Sequence, residues 1–360
     1  MTRLEQFARC QYAHYLMYGL KLREREESGF ENVDIGNIYH DALNRYSLKL
    51  KASEEYDWRN IDDDARNELS EVAFAEAVEV YPNLLAYASS SEQHMLKRME
   101  HVFKQTIWAL TMQIRKGRFT PEKFEFEFET AGDDNLSLYG RIDRIDTFHE
   151  EGKNYIKVID YKSGNTRFDL VKLYHGVSLQ LAMYMNAAMG EGDNPGGMLY
   201  YHIDDPVIDI PDEISQQELD DAILLSLRPD GLINSEDEVI RAFDENLEKK
   251  SLVAPVTLKK DGSADAYSSV ASTENFDVIG EFTNNKISQL GEEILGGNIK
   301  VNPLMADGVD SCRFCSFQSV CCINSKLPGI EPRKNNRTNK DEIIEMMKTE
   351  NARCKAKKGD

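Results

Sequence analysis

The sequence predicts a mixed α/β fold of the α+β kind, a mixed sheet with an antiparallel hairpin inside it and helices flanking it. Three observations predict it. The stretch from Gly140 to Lys162 reads as a β-hairpin: Ile142 and Ile145 are interspersed with charges, a polar run follows over His149–Asn154, and Tyr155, Ile156, Val158 and Ile159 dominate the return. Just before it, Phe124, Phe126 and Phe128 alternate with Glu125, Glu127 and Glu129, the period of a half-buried strand. Apolar residues recur at helical spacing on both sides, giving the order helix, three strands, helix, strand.

The elements follow in order. Residues 2–20 form an amphipathic start carrying Leu4, Phe7, Tyr12, Tyr15 and Leu16, with Gly19 as its stop. After a charged loop to Gly29, Ile35, Ile38, Tyr39, Leu43 and Tyr46 mark a helix on which Gly36 and His40, four apart, share a face. Residues 54–92 hold eleven Asp or Glu against Arg59 and Arg66, which reads as a solvated helical face. Met95, Met99, Val102, Phe103, Ile107, Leu110 and Ile114 stripe a helix from Ser91 to Gly117. Beyond the hairpin, a helix is expected near Leu170–Met189, closed by Gly190, with Gln180 and Tyr184 on one face, and then a strand over Gly196–Ile203. The section 204–297 is less regular, with helices expected at 215–227, 236–249 and 274–296. From Lys326 onward, ten Lys or Arg stand against six acids, and one helix is expected over Lys340–Lys348 in a peripheral or docking tail.

Composition bounds the function. The 360 residues suffice for one large domain or two small ones, and a net charge of −20 argues against a generally basic nucleic-acid coat. Any nucleic acid must be held locally, and Arg141, Arg144, Arg167 and Lys172 are the candidate cations. The start has no apolar signal region and no run is long enough to span a membrane, so a cytoplasmic chain is expected, with no membrane partner. No Gly-x4-Gly-Lys-Ser/Thr loop occurs, which excludes that route to ATP hydrolysis.

On a strand, Asp160 and Lys162 point one way and Tyr161 the other, and Asp143 on the neighbouring strand can reach the first face. Singly, each is ambiguous: solvated strand faces often carry Asp and Lys two apart, and a histidine such as His40 on an apolar helix is usually a hydrogen-bonded core residue. Convergence changes the reading, because His40, Asp143 and Asp160-x-Lys162 fall in order on a helix and two paired strands. Two aspartates suffice for Mg²⁺, which prefers oxygen and keeps several waters, and an imidazole makes the site friendlier to Mn²⁺. Such an ion stabilises charge on a phosphodiester, and a lysine beside it orients water or neutralises developing charge. Gln180 and Tyr184 can contact a nucleic-acid backbone, although a buried tyrosine bonded to a glutamine is the plain alternative.

Six cysteines are present, at 10, 312, 315, 321, 322 and 354. Without an export signal, such a cluster suits metal better than disulfides. Cys312-x2-Cys315-x5-Cys321 is one thiolate short of a four-cysteine site, and Cys10 can complete it from the opposite end of the chain. Structural zinc and an iron–sulfur cluster both take four cysteines, and spacing alone barely separates them. Cys322 reads as a spectator able to replace Cys321, and Cys354 as a free surface thiol.

Together these residues resemble the PD-(D/E)XK nucleases of the RecB type, and within them the AddB-type nuclease domains of bacterial AddAB helicase–nucleases. The likeness runs through Leu4-Glu-x4-Cys10, Gly36-x3-His40, Phe119-x-Pro121-x3-Glu125-x2-Phe128, Gly140-Arg-Ile-Asp-Arg-Ile-Asp146, Asp160-Tyr-Lys-Ser-Gly164, Gln180-x3-Tyr184 and the terminal cysteines. It implies a restriction-endonuclease-like core and a deoxyribonuclease dependent on Mg²⁺ or Mn²⁺. Metal binding would fall to His40, Asp143, Asp160 and the Tyr161 carbonyl, and the catalytic set would be Asp143, Asp160 and Lys162 with Gln180 and Tyr184. It also implies a [4Fe–4S] cluster on Cys10, Cys312, Cys315 and Cys321 that staples the C-terminus and supports DNA binding. The implied work is exonucleolytic resection of double-strand DNA ends for recombinational repair, with DNA as substrate and an AddA-type subunit as partner in a heterodimer.

Gln11 departs from the family's usual proline after the first cysteine, Cys322 is an addition, and the helicase-like region expected upstream is absent, so a fragment of a longer protein is expected. The organisation expected is an opening helix with the first cluster cysteine at 1–30, a nuclease core at 31–203 with a helical insertion at about 53–117, an accessory section at 204–297, a cysteine segment at 298–325 and a basic tail at 326–360. The alternatives are a stand-alone iron–sulfur nuclease of the CRISPR-associated type and a catalytically inactive DNA-binding module.

Overall fold

A computed structural model of the chain describes residues 2–23, 32–81, 90–131, 137–209, 214–306, 309–323, 332–334 and 339–358. The amphipathic start is not continuous: α1 (Thr2–Arg9) ends at Cys10, whose extended backbone (φ −161°, ψ 116°) separates it from α2 (Gln11–His14) and a π-turn over Tyr15–Gly19. Three long helices follow, α3 (Asn32–Ala52), α4 (Asp63–Glu79) and α5 (Ser90–Lys116). The acidic stretch does contain a helix, started by Asp62, whose carboxylate accepts the Ala65 N–H at 2.8 Å. The helix also has a buried side, because Phe74, Ala77 and Val78 pack with Leu43, Tyr46 and Phe103 in one core.

The sheet has six strands in sequence order: β1 (Thr120–Ala131), β2 (Ser137–Glu150), β3 (Lys153–Lys162), β4 (Asp193–His202), β5 (Asp230–Asn234) and β6 (Val270–Ala271). β1, β2 and β3 are antiparallel neighbours, β3 and β4 are parallel, β4 and β5 antiparallel, and β5 and β6 parallel. The predicted hairpin is tighter than its polar run suggested. Glu150 pairs with Lys153, and the turn is Glu151 and Gly152 at φ 47° and 81°, the left-handed pair whose twist suits a two-residue hairpin.

Alternation along β3 divides the interior. Tyr155, Ile159 and Tyr161 join the core under α3, α4 and α5, while Ile156 and Val158 face a second core. That second core is covered by α1 and by the helices that follow the hairpin. The single helix expected over 170–189 is two, α6 (Leu170–Tyr174) and α7 (Gln180–Ala188). Asp169 caps the first, accepting the Val171 N–H at 2.7 Å, and Gly176 at φ 77° reverses the chain between them. α8 (Gln216–Ser226) opens with a capping box from Ser215 and Glu218. The helix expected over 236–249 stops early, as α9 (Asp237–Phe243), because Asp244 turns extended and its carboxylate accepts from Ser251 Oγ at 2.8 Å.

The section 204–297 also supplies β5 and β6, which the sequence reading left out; they are short, and their company is set by β4 rather than by local pattern. α10 (Thr273–Leu295) follows, then a small sheet of β7 (Leu304–Ala306), β8 (Val309–Asp310) and β9 (Arg333–Lys334), with α11 (Gln318–Cys321) between β8 and β9 in the chain. The last helix, α12 (Lys340–Lys358), is longer than expected and is not peripheral. Its Ile343 and Met347 are fully buried in the second core, each such side chain contributing about 2 kcal/mol. No helix among the described residues is long and apolar enough to cross a membrane.

Candidate active site

The antiparallel ladder between β2 and β3 ends at the pair Arg144 and Ile159, whereas β3 continues beside β4 as far as Lys162. The freed end of β3 therefore lacks a backbone partner on one side. Asp143 supplies it: Asp143 Oδ2 accepts the Tyr161 N–H at 2.6 Å. A buried amide without a partner costs free energy, so this bond fixes the Asp143 carboxylate against the strand that carries Asp160 and Lys162.

His40, Glu125, Asp143, Asp160, Lys162, Gln180 and Tyr184 line one pocket, together with Asn37, Asp41, Asn44 and Arg141. His40 comes from α3, where Gly36 lies one turn earlier. A Cβ at Gly36 would sit 3.2 Å from Ser163 Oγ, so glycine lets the helix approach the turn after Lys162 closely. His40 Nδ1 lies 3.3 Å from Asp143 Oδ1, a separation at which both atoms can reach one cation at roughly 2.1 Å each. Among the described residues, donor atoms of His40, Glu125 and Asp143 lie within 4.8 Å of one another.

Glu125 holds a left-handed backbone, φ 48°, in the middle of β1. Such a conformation is unfavourable for a side-chain-bearing residue and is concentrated at functional sites. It also breaks the alternation the sequence predicted. Phe124 faces Leu50 and Trp58, while Phe126 and Phe128 both turn to the second core.

Asp160 sits at the centre of a bonded set. Its Oδ1 accepts from Gln180 Nε2 at 2.8 Å and its Oδ2 faces Lys162 Nζ at 2.5 Å. Lys162 Nζ donates to Gln180 Oε1 at 3.0 Å, and Gln180 Nε2 also donates to Tyr184 Oη at 2.8 Å. Asp160 Oδ2 and Glu125 Oε2 are buried without an aligned hydrogen bond, although Lys162 and Arg141 each stand 2.5 Å away.

The charges are set by burial and by one another. Burial first, and the Asp143 charge second, push the Asp160 carboxyl up to about 7 against the pull of Lys162. The same two causes raise Glu125 to about 7 against the pull of Arg141. Burial disfavours a charged His40, but the bond to Asp143 and the surrounding carboxylates outweigh it and raise the imidazole. Asp41 is engaged by Arg45 at 2.8 Å. Four carboxylates against Arg141 and Lys162 make a pocket suited to a divalent cation.

The structure thus brings His40, Asp143, Asp160, Lys162, Gln180 and Tyr184 together. Tyr161 divides its parts: its amide meets Asp143, while its ring lies buried on the other side of the sheet, where its hydroxyl accepts from Arg144 Nη1 at 3.2 Å. Glu125, to which no sequence motif assigns a role, comes from the strand that precedes the one bearing Asp143. Arg144 corrects an expectation. It is 2% exposed and bonds Asp146 through Nε at 2.8 Å and Nη2 at 2.9 Å, with Lys157 Nζ 2.7 Å from the same carboxylate. It therefore cannot meet a nucleic acid.

Cys10, Cys312, Cys315 and Cys321 line one cavity, with Pro303 and Phe317 among its walls. Burial first, then the neighbouring Cys10 and Asp310, push the Cys312 thiol up to about 11. Cys322 is exposed, takes a left-handed backbone and turns its thiol to the Ser319 carbonyl at 3.2 Å, and Cys354 lies on α12.

Comparison with known proteins gives the family of the chain. The sequence family described as the PD-(D/E)XK nuclease superfamily matches residues 1–322. The chain is 36% identical over 367 residues to a subunit of the ATP-dependent helicase/deoxyribonuclease of Lachnoclostridium phytofermentans, a match that covers 97% of this chain and 31% of that protein. The subunits of the same name from Alkaliphilus metalliredigens and Clostridioides difficile are 30% and 31% identical, each over 97% of this chain and 32% of the relative. The chain therefore spans about a third of the length of these relatives. A family match across most of the residues is decisive: the chain belongs to the PD-(D/E)XK nuclease superfamily.

Proposed function

From that membership as premise, we propose that the chain is the DNA-cleaving domain of an AddB-type helicase–nuclease protein, hydrolysing phosphodiesters at DNA ends with Mg²⁺ or Mn²⁺. The observation that carries the reading is the convergence of His40, Asp143, Asp160 and Lys162 from one helix and two strands into a single pocket. His40, Asp143, Asp160 and the Tyr161 carbonyl would hold the ion, with Glu125 as a further carboxylate in reach of His40 and Asp143. A divalent ion there supplies Lewis-acid stabilisation of the scissile phosphate and activation of water.

The chain's own residues do the rest. Asp143 keeps the end of β3 in register, so the two aspartates present their oxygens together. Lys162 places its ammonium beside Asp160, where it neutralises charge on the phosphate, and Gln180 accepts a hydrogen bond from that ammonium. Tyr184 fixes the Gln180 amide in turn. With a net charge of −20, DNA is held locally, by Arg141, which lines the pocket, and by Arg167 and Lys172 in the stretch that follows β3.

Cys10, Cys312, Cys315 and Cys321 would hold a [4Fe–4S] cluster, which would tie the two ends of the domain. Four thiols from both ends of the domain around one cavity support a four-cysteine centre, and the family likeness favours iron–sulfur over zinc there. Within a longer protein paired with an AddA-type partner, the domain resects double-strand ends for recombinational repair. The test is cleavage of end-labelled DNA by the chain with Mg²⁺, Mn²⁺ or a chelator. Cleavage independent of metal, or undiminished in Asp160→Ala, removes the reading.

A further inference from the structure

Glu5 belongs to the motif that opens the chain, and the proposed chemistry gives it no task. It lies on α1, far in sequence from the pocket. The helix α7, which begins with Gln180, has no cap of its own. Leu179 occupies the N-cap position with a helical backbone and makes no side-chain capping bond. The first amides of a helix need acceptors from elsewhere. Glu5 Oε1 provides one, accepting the Leu179 N–H at 2.8 Å across 174 residues, and the Gln180 N–H also faces its carboxylate. Negative charge at that position further suits the positive end of the helix.

The capped residue is the one that organises the pocket. Gln180 bridges Asp160 Oδ1 and Lys162 Nζ through its two amide atoms. Its backbone origin is therefore set by Glu5, and Glu5 is set by α1. That helix is anchored by Leu4, Phe7 and Ala8 in the second core, and its last carbonyls, Ala8 and Arg9, accept from Arg333. Just beyond Cys10, Gln11 Nε2 donates to Glu293 Oε2 at 3.0 Å. We propose that Glu5 is a positioning residue of the active site: by capping α7 it holds Gln180 where its amide keeps Lys162 against Asp160. The inference rests on the nuclease reading for its kinetic consequence, and on the capping geometry alone for its structural one.

The test compares the 360-residue chain with Glu5→Ala, Glu5→Gln, Gln180→Ala and the double variant Glu5→Ala/Gln180→Ala. Two readouts are used: metal-dependent cleavage of DNA and amide hydrogen exchange over residues 178–181. Glu5→Ala is expected to lower kcat by about 10- to 100-fold, the order associated with misplacing a catalytic group, with KM within about threefold. Glu5→Gln, which keeps the acceptor, recovers most of the loss. The double variant turns over no more slowly than Gln180→Ala, because residues acting through one another are not additive. Exchange at Leu179 and Gln180 speeds up in Glu5→Ala and not in Glu5→Gln.

Unchanged kcat in Glu5→Ala, fully multiplicative losses in the double variant, or unchanged exchange each overturns the proposal. If Glu5→Ala does not fold, Glu5→Asp, which withdraws the carboxylate by one methylene, takes its place, and full kcat in Glu5→Asp overturns the proposal equally. An inactive wild type would sink the nuclease reading instead, and the exchange readout would then decide the cap by itself.

Discussion

Asp143 accepts the Tyr161 amide hydrogen at 2.6 Å just where the backbone ladder between their strands has run out. One carboxylate thereby continues the sheet and faces the pocket at once. Asp143→Asn is expected to keep the fold, since its amide oxygen still accepts that bond, yet to lose at least about 100-fold in cleavage, on the scale of removing a preorganised electrostatic group. Circular dichroism and cleavage of end-labelled DNA, measured together, check this. Asp160→Ala and Lys162→Ala are expected to abolish cleavage with the fold intact.

Cation affinity should depend steeply on pH. Asp160 and Glu125 each lie at about 7 in the metal-free protein, and both must lose their protons to bind a cation. Mn²⁺ affinity, followed by titration calorimetry, is expected to rise between about pH 6 and 8 with release of protons. Stability of the metal-free protein runs the opposite way. A folded-state pKa raised above the unfolded value contributes stability that is fully present below about pH 4 and is lost as pH rises through about 7. Thermal unfolding without metal should therefore move down across that window, and with Mn²⁺ the decline should shrink. An affinity flat with pH would discount the protons on these two carboxyls.

Arg144 is expected to matter to stability and not to DNA. Removing it leaves Asp146, fully buried, with Lys157 alone, and breaking a buried pair costs about 3–5 kcal/mol. Urea unfolding of Arg144→Ala measures that loss. By contrast, the triple change at Arg141, Arg167 and Lys172 is expected to weaken DNA binding and flatten its salt dependence with little loss of stability. A salt slope unchanged in the triple variant would place the DNA track elsewhere.

The cysteine site joins positions far apart in the chain, and a crosslink over such a length removes on the order of 5 kcal/mol of unfolded-state entropy at most. Cys10→Ala, prepared anaerobically, is expected to lose the iron–sulfur absorbance and to become protease-sensitive both near its N-terminus and near residues 300–325. Cys354→Ala should keep full iron and Cys322→Ala most of it. Stoichiometric zinc without sulfide in the anaerobic wild type would overturn the cluster.

What the sequence determined by itself is the part written in local pattern. The β3 alternation put Asp160 and Lys162 on one face because side chains on a strand repeat every two residues. The helical spacing of Gly36 and His40 likewise brought a close approach and an imidazole to one side of α3. The pairing of β2 with β3, the strand after α7 and the helix α5 were legible for the same reason, whereas the turn at Glu151 and Gly152 is tighter than the polar run suggested.

What only the tertiary structure decided depends on partners distant in the chain. Glu125 reads as one more polar residue in an alternating strand, and its left-handed backbone beside Asp143 has no local signal. Arg144 and Arg141 look alike in sequence, but the first is buried on Asp146 and the second faces the pocket. β5, β6 and the buried face of α12 are short or polar in composition, and they acquire their places from the sheet edge and the apolar groove they complete. Periodicity reports which face of an element is apolar, because that preference is carried by each residue alone. The identity of what covers that face is a property of two segments at once, and a linear pattern does not contain it.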